Sequence, residues 1–110
     1  MATCAAQARL LSLTMYKSDL EYKLMGITAE KQQLTKMAAE YAEMYAEMGG
    51  TSDAFEDDMY VVALQKQEEA LEADQTIIES QLQEVNAEKD SISELVKNNI
   101  KKDFKINFGS

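Results

Sequence analysis

Met48-Gly49-Gly50-Thr51-Ser52-Asp53 is the one strong interruption in a chain otherwise made of helix-forming residues. Consecutive glycines suit the left-handed cap that ends a helix, because a residue without Cβ meets no steric penalty there. The residues after them suit a new start. Asp53, with Glu56 three positions on, reads as a capping box, and Glu56, Asp57 and Asp58 lie where the positive end of a helix dipole favours acid. At the far end stand Lys97, Lys101, Lys102 and Lys105, the sign preferred by the negative end of the dipole, and Gly109 supplies a stop. The expectation is an all-α fold, a long antiparallel helical hairpin forming a single domain over residues 1–110. Helix one covers 4–48, the turn 49–53 and helix two 54–104, before a short C-terminal tail. Gly26, inside helix one, costs about 1 kcal/mol relative to alanine and is read as a bend or a close approach of a second helix.

Composition agrees with that outline. The 110 residues include no proline, tryptophan or histidine, and only four glycines. With 45% of residues hydrophobic, disorder is disfavoured despite a net charge of −9. That acidity, with eleven basic residues, argues against nucleic acid, since phosphate binding needs a basic face that releases counterions. The single Cys4 cannot form an intramolecular disulfide and reads as a small residue near a terminus. Leu10, Leu11 and Leu13 are broken by polar residues without a basic stretch before them, so no secretory signal is expected. No 18-residue apolar run suggests a membrane span either. The expected location is the cytoplasm, or outside the cell by a leaderless route.

Periodicity outward from the turn carries the strongest signal. Leu13, Leu20, Ile27, Leu34, Tyr41 and Met48 recur at sevens, as do Leu64, Leu71, Ile78, Val85 and Ile92. Interleaved sets are Leu10, Lys17, Leu24, Lys31, Ala38 and Tyr45 on helix one, and Val61, Glu68, Gln75, Leu82, Lys89 and Val96 on helix two. Folding the chain about Gly49 and Gly50 pairs Leu13 with Ile92, Leu20 with Val85, Ile27 with Ile78, Leu34 with Leu71 and Tyr41 with Leu64. Every one of those pairs adds to 105, and Leu24 with Leu82 belongs to a second set adding to 106. These sums imply a two-helix coiled coil. Lys17, Lys31 and Lys89 in the seam either extend their stems to water or set the register against other alignments.

Further apolar residues fall outside the seam. Tyr16, Met25, Met37, Met44, Leu95 and Phe104 form the candidate assembly face, with Met15, Tyr22, Met59, Ile77 and Ile100 as additional apolar positions. Methionine adapts to irregular packing and tyrosine is favoured at interfaces, so these residues either widen the seam or meet a partner helix. No catalytic residue, metal ligand or cofactor is assigned. Asp53, Glu56, Asp57 and Asp58 lack the order of a calcium-binding loop, and no histidine or phosphate-binding glycine loop offers chemistry. The expected function is non-catalytic and structural, a homo-oligomer formed by helix packing. The alternative is a helical adaptor or chaperone of a bacterial secretion or phage apparatus that binds a partner helix.

The opening Gln7-Ala8-Arg9-Leu10-Leu11-Ser12-Leu13-Thr14, with Lys17, Asp19 and Glu21, resembles the start of short uncharacterised bacterial coiled-coil proteins. Asn99-Ile100 with Phe104-Lys105 resembles their close. The resemblance implies a coiled coil of bacterial origin and no particular activity. By architecture alone the hairpin is also similar to filament subunits of type III secretion and flagellar type, although it lacks their proline-rich corner.

Overall fold

The computed structural model describes the backbone of residues 2–107 and the side chains of residues 4–102. Among the described residues three helices occur in order: α1 over Ala2–Glu47, α2 over Ser52–Asp57 and α3 over Met59–Asn107. Among the described residues there is no strand. The long helices α1 and α3, joined by a short turn, make a helical hairpin.

Helix α1 ends as the glycines require. Gly49 adopts φ 81°, the left-handed conformation. Its N–H donates to the carbonyl of Ala46 at 3.1 Å, and that of Gly50 to the carbonyl of Tyr45 at 3.0 Å. These two bonds satisfy carbonyls that the helix end would otherwise leave open. Met48 falls in this cap rather than on the apolar ladder, and its side chain is exposed.

The second half of the hairpin starts differently from the continuous helix expected over 54–104. Thr51, not Asp53, is the N-cap of α2, its hydroxyl accepting from the N–H of Ala54 at 3.3 Å. After the six residues of α2 the chain breaks at Asp58, whose ψ of 134° is extended. The N–H of Asp58 donates to the carbonyl of Phe55 and closes α2. Its Oδ1 accepts from the N–H of Tyr60 at 2.9 Å and its carbonyl from that of Val62, which opens α3. Of the four acids near the turn, it is Asp58 that caps the long helix. Gly26 also departs from expectation, for a Cβ built there meets nothing within 4 Å. Its place is on an exposed face of α1, where no second helix approaches.

The contacts divide the chain into two compact units, one made of residues 1–22 and 79–110, the other of 23–78. In the first, Ala6, Leu13, Leu20 and Val85 are buried, flanked by half-buried Leu10, Lys17, Leu82, Lys89, Ile92 and Val96. In the second, Val61, Leu64 and Ile78 are buried, with Leu24, Ile27, Lys31, Leu34, Tyr41 and Leu71 half-buried. Burial thus recurs every seven residues on both long helices. Glu68 is the exception at those positions on α3, exposed because a carboxylate is costly to desolvate without a partner. Mid-helix threonines satisfy their own hydroxyls, as Thr14, Thr28, Thr35 and Thr76 each donate to the carbonyl four residues earlier.

Candidate functional site

The second unit is organised around aromatic rings beside the turn. The Tyr41 ring lies 4.6 Å from that of Tyr60 and 6.0 Å from that of Phe55, while Tyr45 meets Phe55 edge-on at 5.5 Å. Tilted and edge-on contacts of this kind avoid the unfavourable face-to-face sandwich of ring quadrupoles. A Cβ on Gly50 would overlap the Tyr45 ring, so glycine is required there by close approach rather than by φ. Phe55 and Tyr60 belong to this cluster although neither falls on the heptad ladder. Their signal was aromatic residues crowded on both sides of a Gly-Gly turn.

Away from the turn, Lys31 sits half-buried in the seam. Its Nζ donates to Oε1 of Gln75 at 3.1 Å and lies 3.9 Å from Glu72, so it has polar partners on the opposite helix. The same unit holds an open groove of about 430 Å³ lined by apolar Leu34, Met37, Ala70 and Leu71 and by polar Glu30, Gln33 and Gln67. Leu34 and Leu71 therefore come together, and Met37 is half-buried beside them. Met44 is exposed.

In the first unit Arg9 reaches Glu88, with Nε and Nη2 both donating to Oε1, at 3.0 and 2.8 Å. A groove here brings Leu13 and Tyr16 beside Val85 and Glu88. Val85 lies one heptad before the Ile92 that facing numbers assign to Leu13. Apolar rungs that interdigitate place each residue between two on the opposite helix, rather than squarely against one. Tyr16 and Leu95, two residues of the expected assembly face, are both exposed. Phe104 lies outside the described side chains.

Met25 is set apart from Tyr16, Met37 and Met44. Those three share one position of the seven-residue repeat on α1, at the edge of the seam, whereas Met25 belongs to its far side. On that far side, within the first unit, Leu11 and Met15 are each 63% exposed and Tyr22 is 79% exposed. Spacings of four, three and four through Leu11, Met15, Ser18 and Tyr22 align them in one stripe. Leu11 is masked in the sequence because it sits inside the run Leu10-Leu11-Ser12-Leu13, where the seam residues dominate the pattern.

Among the described residues no group of three or more histidine, cysteine, aspartate or glutamate side chains is placed to hold a metal ion. Asp58 is already engaged by Tyr41 and Tyr60. No helix among the described residues is long and apolar enough to cross a membrane. Comparison with family models, curated proteins and solved structures finds no match to this chain.

Proposed function

We propose that this protein is a non-catalytic interaction protein that self-assembles by coiled-coil packing of its helices. One observation carries the reading. Seven side chains are buried among the described residues, all apolar, while twelve large apolar side chains are left exposed. Burying a large aliphatic or aromatic side chain contributes roughly 1.5 to 3 kcal/mol, so association recovers what the isolated hairpin leaves in water. Sedimentation and thermal melting across a wide concentration range test this. The expected result is an oligomer at micromolar concentration whose Tm rises with concentration, because subunit binding is linked to folding. A monomer whose Tm ignores concentration would sink it.

The groove beside Leu34, Met37 and Leu71 favours a second reading, an adaptor or chaperone that takes a side chain of a partner helix. Met37 gives that groove an adaptable wall. In that case the protein stays monomeric alone and its Tm rises only when the partner helix is added.

A further inference from the structure

Helix α1 has two apolar faces in the first unit. Leu10, Leu13, Lys17 and Leu20 face the seam and are buried or half-buried. Leu11, Met15, Ser18 and Tyr22 lie about 150° away around the helix, at 3.6 residues per turn, and all four are exposed. The outer side is also free of charge over a long stretch. Between Cys4 and Ser18 the only charged residues are Arg9 and Lys17, and both belong to the seam side. Arg9 is bonded to Glu88, and Lys17 is half-buried with Nζ 3.9 Å from Glu21. In a chain with 28% charged residues, this leaves Cys4, Ala8, Leu11, Ser12, Thr14, Met15 and Ser18 as an uninterrupted neutral surface.

We propose that this outer face of α1 docks antiparallel on the same face of a second copy of the chain. The proposal rests on the self-assembly proposed for this protein and names the surface that performs it. Charge selects the occupant. A chain of net charge −9 repels its own copies, and association is least opposed where acid is scarcest. Residues 1–29 carry three basic and two acidic side chains, against eight basic and eighteen acidic in the rest. Charge and size also select the direction. Antiparallel pairing about the point between Tyr16 and Lys17 sets Leu11 against Tyr22 of the second copy, two apolar residues, and Met15 against Ser18, large beside small. Asp19 and Glu21 then face Thr14 and Ser12, which are uncharged. A parallel pairing in register would set Asp19 against Asp19 and Glu21 against Glu21, a repulsive arrangement.

Two measurements test the proposal. The first compares the association of the wild type with that of the double variants Leu11→Lys/Tyr22→Lys and Leu11→Lys/Tyr22→Glu by sedimentation, with helicity followed by circular dichroism. Because both positions are exposed, all three proteins should be equally helical. The double lysine variant should associate more weakly by on the order of a hundredfold, since apolar burial is lost and like charges meet. The lysine-glutamate variant should recover at least about tenfold of that loss, because antiparallel pairing sets lysine against glutamate. The second uses the native, exposed Cys4 to carry a spin label on the otherwise unaltered chain. Antiparallel docking about this centre separates the two labelled residues by 25 positions along the helix axes, about 40 Å at 1.5 Å per residue. A separation below about 20 Å overturns the antiparallel arrangement. A double lysine variant that assembles like the wild type overturns the choice of face and leaves self-assembly standing, whereas a wild type monomeric at every concentration overturns both. If the double lysine variant loses helicity, the label distance in the assembled wild type decides.

Discussion

The hydroxyl of Tyr41 donates to Oδ2 of Asp58 at 2.9 Å, while Oδ1 of the same carboxylate caps α3 at Tyr60. One side chain on α3's threshold thus serves both the opposite helix and its own. The bond also changes the acidity of the phenol. Hydrogen bonding to Asp58, then desolvation and the charge of the carboxylate, raise the Tyr41 hydroxyl above its ordinary value of 10.0. The folded state keeps this proton to higher pH than the unfolded chain does. The contribution to stability is therefore complete below pH 10 and is lost as pH climbs through the raised folded-state value. Tyr41→Phe should flatten this alkaline loss, and the difference in tyrosinate absorbance between the two proteins should show a group titrating above the ordinary range. An unchanged alkaline profile in the variant would remove Asp58 as the cause.

Two caps divide the residues after the turn into separate helices. Thr51→Ala and Asp58→Ala should each cost about 1 kcal/mol in chemical denaturation. Asp58→Ala should be the more damaging, because it also leaves the Tyr41 hydroxyl without its partner. Asp53→Ala should have little effect by comparison, as Asp53 caps neither helix. A larger loss at Asp53 than at Asp58 would restore the capping box read from the sequence.

Glycines at three positions should respond in opposite directions. Gly26→Ala should stabilise the protein by about 1 kcal/mol, since the helix is continuous there and the added methyl meets open space. Gly49→Ala should destabilise through its positive φ, and Gly50→Ala through collision with the Tyr45 ring. Denaturant midpoints of the three variants check the signs, and a destabilising Gly26→Ala would mean that this position serves something beyond the helix.

Neighbouring isoleucines give a direct test of register. Ile78 is buried and Ile77 is 56% exposed. Ile78→Ala should cost about 2 to 5 kcal/mol, whereas Ile77→Ala should stay within about 0.5 kcal/mol at concentrations where the protein is dissociated. Equal losses would place the seam on the wrong side of α3.

The heptad ladder made the hairpin legible, because Leu13, Leu20, Leu64, Ile78 and Val85 carry an apolar signal at a fixed spacing that burial then matches. Ala6, one heptad before Leu13, is buried too, but a small residue is a weak signal near a chain end. The start of α3 was not legible. Asp53, Asp57 and Asp58 are all competent caps by residue type, and only the tertiary contact from Tyr41 distinguishes Asp58. The candidate assembly face follows residue type in the sequence, whereas the angle around the helix decides which residues share a face. That angle separates Met25 from Met37 and Met44, and it admits Leu11.

The aromatic contacts beside the turn also bear on the order in which the chain folds. Tyr41 and Asp58 are 17 residues apart in sequence, whereas Arg9 and Glu88 are separated by 79. Closing the longer loop from an unfolded chain costs about 1.4 kcal/mol more in entropy, by the logarithmic dependence on loop length. Once the rings have met around Gly50, each later rung needs only a few additional residues to be ordered. On loop entropy, folding is expected to nucleate at the turn and advance toward the chain ends, so that in stopped-flow kinetics substitutions at Tyr45 or Phe55 should slow folding while those at Leu13 or Val85 should chiefly hasten unfolding.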